Sequence, residues 1–251
     1  MSLTGLTGLR DVVAGDDLAD LILQALESLA LALQPQDVLV IAQKIISKAE
    51  GRYVALDDVA PSDRARELAE VTGKDARLVE LILCESSHVL RALPDVLIVR
   101  HRLGYVMANA GIDRSNVESE GGRERVLLLP LDPDRSAAEL RQGMAQRCGV
   151  SAGIIISDSF GRPWRMGVTN VALGAAGVPT LIDRRGEADR YGRPLEITQV
   201  ALGDAIAAAA GVVMGEAAEG TPVVLVRGLT LLAPARSALT LIRPLAQDLF
   251  Q

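Results

Sequence analysis

Apolar residues recur at helical spacing after Asp16 and Asp17, at Leu18, Ile22, Leu26, Leu29 and Leu33. That pattern predicts an amphipathic helix, capped and charge-stabilised by the two aspartates and stopped by Pro35. The uninterrupted run DVLVIA (37–42) has the length and β-branched content of a buried strand. Residues 62–85 read as one or two helices broken near Gly73. VLIVR (96–100) and YVMA (105–108) read as strands around the Leu103-Gly104 turn, and VLLLP (126–130) as another strand. Asp134 or Ser136 is expected to cap a helix running to Arg147, and AGIIIS (152–157) to form a strand that ends at an acid and a hydroxyl. PTLID and PLEIT flank a polar loop, RRGEADRYG. An alanine-rich helix and a late strand, TPVVLVRG, follow. Strands alternating with helices define an α/β class. No repeat or low-complexity linker interrupts the chain. A single domain over 1–251 is expected, with a subdomain boundary near the Ser-, Glu- and Gly-bearing loop 114–125.

Composition narrows the function classes. The 251 residues are 49% hydrophobic and 23% charged, an ordinary globular balance with enough chain for a sizeable core. A net charge of −6 argues against a nucleic-acid or anionic-membrane partner, which would need a basic face. The stretch ITQVALGDAIAAAAGVVMG is the most apolar long segment, but Asp204 in its middle suits a buried helix better than a membrane span. With no apolar leader at the N-terminus, a cytoplasmic location is expected. Two cysteines, Cys84 and Cys148, without CxxC spacing, are expected to be buried free thiols. Two histidines, His88 and His101, without ligand spacing, argue against a zinc site.

Five segments carry candidate chemistry. QKIISKAEGR (43–52) holds two of the three lysines, Lys44 and Lys48, just beyond a predicted strand, where α/β proteins place ligands. A lysine there can meet a phosphate as a point charge, although no Walker A loop is present. ANAGIDRSN (108–116) combines small residues, which allow close backbone approach, with the oxygen of Asp113 and the amide of Asn116. SDSFGRPWRMG (157–167) sets Asp158 beside Ser159, and oxygen donors of this kind suit magnesium or manganese. It also brings Arg162 and Arg165, suited to phosphate or carboxylate, and Trp164, either a core residue or a wall for a planar substrate. DRRGEADRYGRPLEIT (183–198) reads as a charged surface hairpin or as a loop folded over an acidic substrate. GEAAEGTPVVLVRG (215–228) adds Glu216 just after a predicted helix, as a second ion would require. No GxSxG elbow marks Ser157 or Ser159 as a nucleophile, and no kinase motif is present.

Taken together and in this order, these segments resemble the coenzyme F-420:L-glutamate ligase (gamma-glutamyl ligase) family over most of the chain. The resemblance implies an unusual α/β fold of mixed sheets with flanking helices and two intertwined subdomains, assembled as a homodimer. It implies an enzyme that adds L-glutamate to the lactyl-phospho precursor of a deazaflavin coenzyme, with a further gamma-linked glutamate possible. GTP would be spent through an acyl phosphate, releasing GDP and phosphate, with two divalent ions (Mg or Mn) and potassium. Carried onto this chain, Asp113 and Asp158 are similar to the ligands of one metal, and Ser159 and Glu216 to those of the second. Lys48, Asn116 and Gln43 are similar to nucleotide contacts. The turn Leu9, Arg10, Asp11 and Val12 aligns with a GTP-contacting turn, where only backbone contacts transfer because the side chains differ from the family's usual ones. The loop 184–193 is the candidate cover that keeps water from the acyl phosphate. The alternatives are an amide ligase on a related phospho-carboxylate and a nucleotide- and metal-binding module without turnover.

Overall fold

The computed structural model describes residues 1–117, 119 and 121–248. Its centre is a five-stranded mixed sheet. Strands β1 (Ser2–Gly5), β12 (Val223–Arg227), β2 (Val38–Ala42), β8 (Gly153–Arg162) and β9 (Arg165–Ala176) lie in that spatial order. Only β2 and β8 run parallel; the other neighbours are antiparallel. The apolar run in β2 is explained by burial on both faces. Leu39 and Ile41 join Ile154 and Ile156 against helices α1 (Leu18–Ser28) and α5 (Pro133–Cys148), while Val38 and Val40 join Ile155 against α6 (Leu202–Met214).

A second lobe leaves the sheet after helix α2 (Gln43–Ala49) and returns before α5. It contains the ribbon of β3 (Tyr53–Ala55) with β7 (Arg125–Leu127), helices α3 (Asp63–Thr72) and α4 (Ala76–Cys84), and a three-stranded sheet of β4 (Ser86–Leu93), β5 (Val96–His101) and β6 (Val106–Ala108). Leu56, Leu68, Val79, Ile82, Leu97 and Val99 form its own core. The break between α3 and α4 falls where expected, with Gly73 left-handed at φ 67° and Asp75 capping α4 through Arg77 N at 2.8 Å. The loop 114–125 lies inside this lobe, and Glu118 and Glu120 within it are outside the described residues. At the lobe's root, Arg52 donates to the Leu129 carbonyl at 2.9 Å and to buried Glu85 at 3.2 Å, with Arg102 3.1 Å and His101 3.5 Å from the same carboxylate. Beyond the sheet, β10 (Leu181–Asp183) and β11 (Gln199–Ala201) form a separate ribbon.

Several boundaries differ from the pattern-based expectation. Helix α1 stops at Ser28 rather than running to Pro35. Ala30 turns left-handed (φ 52°), and Ala30 N and Leu31 N close on the carbonyls of Glu27 and Leu26 at 2.9 Å each, a Schellman arrangement with alanine in the usual glycine position. Helix α5 is capped by Asp132, which accepts from Arg135 N at 3.0 Å, and not by Asp134 or Ser136, because Pro133 already occupies its first turn. Strand β7 ends at Leu127, since Leu128 N turns to the Arg52 carbonyl. Strand β8 does not end at Ser157: it pairs on with β9 through Asp158 and Ser159 to Arg162. Both cysteines are exposed, each the last residue of a helix, and not buried.

Candidate functional site

The chain passes from β2 into α2 without a loop, so Gln43 and Lys44 emerge at the C-terminal end of a buried strand. Gln43 is buried and held by Ser47, whose hydroxyl donates to its carbonyl oxygen at 2.9 Å. Its amide nitrogen points to Asp113 at 3.5 Å. The Lys44 ammonium sits 3.1 Å from Asp113 Oδ2 and donates to the Ser115 hydroxyl and carbonyl, each at 3.1 Å.

Asp113 comes from the second lobe. It follows a left-handed turn, Asn109–Gly111, with φ of 53°, 53° and 67°. At Gly111 a Cβ would stand 2.6 Å from Met107 Cε and 3.0 Å from both Leu129 methyls, so the turn packs only with glycine there. Paired backbone bonds of 2.9 Å with Leu127 fix Asp113, and Ser115 donates to its other oxygen at 3.0 Å. Asn116, at φ 54°, follows on the same wall.

Facing this lobe across a cleft, β8 presents Ser157, Asp158 and Ser159. Burial pushes the Asp158 carboxyl up to about 7. The Ser159 amide and Lys44 oppose the shift, while the charges of Asp113 and Glu216 add to it. The three carboxylates therefore share one electrostatic neighbourhood although they come from different elements. Glu216 follows α6 and is gripped by Asn170 Nδ2 at 3.3 Å. The Ser157 hydroxyl is buried next to Asp158 in the chain and has no hydrogen-bond partner among the described residues.

One cavity of about 1820 Å³ joins these groups. Its walls include Leu9, Arg10, Asp11 and Val12; Gln43 and Lys48; Asp113 and Asn116; Asp158 and Ser159; Arg162 and Arg165; and Glu216. The Arg10 side chain is bound to Asp16 at 2.6 and 2.8 Å, and this guanidinium holds the Asp16 carboxyl down at about 2. Asp16 also takes Val13 N at 2.8 Å, which fixes the end of the turn.

Two expectations fail on position. Trp164 occupies the left-handed tip of the β8–β9 hairpin (φ 58°), is 82% exposed, and belongs neither to the core nor to the cavity wall. The loop 184–193 does not reach the cavity. It closes on itself through Gly186 N to Leu195 O and Leu195 N to Glu187 O, both 2.8 Å. The sequence pattern gives Lys44 no role on Asp113, and it does not mark Asn170 at all. Lys44 lay within a motif already singled out and one residue from Gln43.

Among the described residues, no three His, Cys, Asp or Glu side chains converge tightly enough to form a metal cluster. The donors instead come in smaller sets with oxygen chemistry throughout. A two-lobed α/β body with carboxylates on both walls of a deep cleft, and lysines and arginines beside them, defines a protein built to hold a charged ligand between its lobes. The chain belongs to the family described as F420-0:Gamma-glutamyl ligase, which matches residues 8–228. Curated relatives named coenzyme F420:L-glutamate ligase align over nearly the whole chain. That of Methanopyrus kandleri is 50% identical, covering 96% of this chain and 94% of the relative. That of Methanothermobacter thermautotrophicus is 47% identical over 91% and 89%, and that of Archaeoglobus fulgidus 46% identical over 89% and 86%. No helix among the described residues is long and apolar enough to cross a membrane.

Proposed function

We propose that this chain is an L-glutamate ligase of coenzyme F-420 biosynthesis that spends GTP. In this reaction the precursor carboxylate attacks the GTP γ-phosphorus and GDP leaves. The glutamate amine then attacks the acyl phosphate, expelling phosphate and forming the amide. A second, gamma-linked addition would repeat the cycle. The observation that carries this reading is the meeting of Asp113, Asp158 and Glu216 with Lys44 and Lys48 around one cavity, in a chain whose close relatives bear the ligase name.

Phosphoryl transfer of this kind needs in-line positioning and charge neutralisation more than a covalent residue, which suits a site without a histidine or an activated nucleophile. The donors fit hard divalent ions such as magnesium or manganese: Asp113 with Asp158 for one, Ser159 with Glu216 for another. Only a few protein oxygens are needed per ion, because phosphate and water complete such shells. Bound there, such ions would neutralise the phosphate oxygens and orient the triphosphate. Lys48, Asn116, Gln43 and the backbone of the Leu9 to Val12 turn would hold the nucleotide, Lys48 as a point charge. Arg162 and Arg165, on the wall of the same cavity, would bind the anionic precursor or the glutamate carboxylates. Potassium and assembly as a homodimer belong to the same proposal, as does a cytoplasmic location.

Purified protein given GTP, manganese, L-glutamate and the deglutamylated precursor should yield a product heavier by one glutamyl residue, with GDP formed over repeated turnovers only when both acceptor and amine are present. No glutamylated product under these conditions would reject the ligase. GTP binding without GDP release under full substrate would indicate a binding module, and product from a different phospho-carboxylate would redirect the acceptor.

A further inference from the structure

The β8–β9 pairing skips a residue beside the site. Ile156 pairs with Gly174, but Ser157 pairs with Ala172. Leu173 is the extra residue of a β-bulge. Its effect is visible in which face each residue takes. Ala172 and Ala175 both pack with α6, although residues three apart point to opposite faces of a regular strand. Leu173 packs on Tyr105 and Met107. A Cβ added to Gly174 would come within 2.2 Å of the Pro133 carbonyl at the start of α5.

The shift in face decides what meets Glu216. Counting back from Ala172, the α6 face next takes Asn170, which bonds Glu216 at 3.3 Å and fits only because residue 211 is glycine: a Cβ there would lie 2.1 Å from Asn170 Nδ2. Without the bulge, the α6 face would run 175, 173, 171, and Val171 would replace Asn170 towards Glu216. The bulged backbone is held from outside the sheet. Asp204, in the first turn of α6, accepts from Ala172 N at 2.9 Å. The Tyr105 hydroxyl, from the second lobe, donates to the Leu173 carbonyl. The Tyr105 ring also stands edge-on to Phe160, the neighbour of Ser159, at 6.2 Å between centroids.

We propose that Asp204 and Tyr105 are positioning residues for the metal and phosphate site: they lock the β9 bulge, and the bulge sets the frame in which Asn170 holds Glu216 and β8 presents Asp158 and Ser159. Neither side chain is on the cavity wall. The assignment of Asp158, Ser159 and Glu216 to divalent ions rests on the proposed function above; the bulge itself does not.

The test uses the full chain with manganese alone, read by calorimetry, together with melting of the metal-free protein. Asp204→Asn keeps an oxygen that can accept from Ala172 N and should bind manganese within about threefold of wild type. Asp204→Leu removes the acceptor and should bind about tenfold more weakly, the scale of losing a partner outside the ligand set. In the metal-free protein, amide hydrogen exchange over 168–173 should quicken in the leucine variant. Tyr105→Phe, which removes one hydroxyl and keeps the ring, should weaken manganese binding about threefold or more, and it carries the test if the leucine variant does not fold. In an Asn170→Ala background, the loss from Tyr105→Phe or Asp204→Leu should shrink, because the part of it that runs through Glu216 has already been cut. Unchanged manganese affinity in either folded variant, an asparagine variant as impaired as the leucine one, or additive losses with Asn170→Ala would each overturn the proposal. Wild-type protein that binds manganese but makes no product would sink the ligase alone. Wild-type protein that binds none would sink the metal assignment and this proposal together.

Discussion

Asp158 carries the clearest titration signature of the cleft. Its carboxyl is raised to about 7, first by burial and then by Asp113 and Glu216, against the opposing Ser159 amide and Lys44. In the unfolded chain it would titrate at the ordinary 3.8. Between those values the folded protein holds a proton that the unfolded chain has released, so this group's contribution to stability falls as pH rises from about 4 to about 7 and is flat above. Asp158→Asn removes that loss. Metal-free variant and wild type should melt alike near pH 4, and the variant should be the more stable by on the order of 4 kcal/mol at pH 8. Parallel melts at the two pH values read the difference. The same variant should lose manganese binding and turnover while keeping its fold, and in wild type manganese affinity should rise with pH up to about 7, because the ion competes with a proton. Lys44 reads differently. Its ammonium stands on Asp113 at 3.1 Å, so Lys44→Met should lower nucleotide-dependent turnover by about tenfold or more, as expected for removing a preorganised charge. Turnover measured against GTP concentration checks this.

At the level of elements, what could be read from sequence depended on whether the cause was local. The buried strands β2 and β8 were legible because an apolar run has one common explanation, and the α3–α4 break because Gly73 has a local conformational one. The end of α1 was not legible: leucines continue at helical spacing past Ser28, and the stop comes from alanine taking a left-handed turn. That turn makes its own prediction. Ala30→Gly should relieve about 1 kcal/mol of backbone strain and raise the melting temperature by about 2–4 °C, with catalysis unchanged. Strand β1 and the extension of β8 past Ser157 exist only because distant strands, β12 and β9, supply partners. Motif order and family resemblance brought Asp113, Asp158 and Glu216 forward together, and the three line one cavity. Asn170 was hidden because its direction is set by a bulge. Gly211→Ala tests that packing. Helix propensity favours alanine by about 1 kcal/mol, but overpacking against Asn170 costs about 1–3 kcal/mol. Stability should therefore fall by no more than about 2 kcal/mol while turnover falls about tenfold, the scale of disturbing a partner of the metal ligand proposed at Glu216; a melt and an assay on the same preparation separate the two effects.

The whole molecule places its site between two bodies with separate cores. Asp113 and Asn116 belong to the second lobe, and Asp158, Ser159 and Glu216 to the sheet, so the geometry at the cleft depends on how the lobes are joined. Two fastenings hold the lobe's root: the apolar contact of Tyr105 and Met107 with Leu173 of the sheet, and a mostly buried charge cluster that ties the outgoing segment at Arg52 to the returning one. Burial opposes the charge of Glu85, but His101, Arg102 and Arg52 outweigh it and keep the carboxyl below its usual range. His101 accepts Leu103 N at Nδ1 (3.0 Å), so its proton lies on Nε2 and faces Glu85. Arg52 alone also grips the main chain of the returning segment, at Leu129 O. Arg52→Met keeps most of the side-chain volume and removes both contacts. Glu85 would retain Arg102 and His101, so the cost should be about 2–3 kcal/mol, short of the 3–5 kcal/mol expected when a buried charge loses its partner outright. The consequence at the site should differ from that of an equally destabilising change elsewhere. The proposed metal and nucleotide contacts come from both lobes and would tie them together, so saturating manganese and GTP should restore most of the lost melting temperature in Arg52→Met, by mass action on the joined state. The ligand concentration needed should rise, because part of the binding energy goes into closing the joint. If Arg52→Met is destabilised as expected but binds manganese and GTP with wild-type affinity, the lobes are held in register by something other than this cluster.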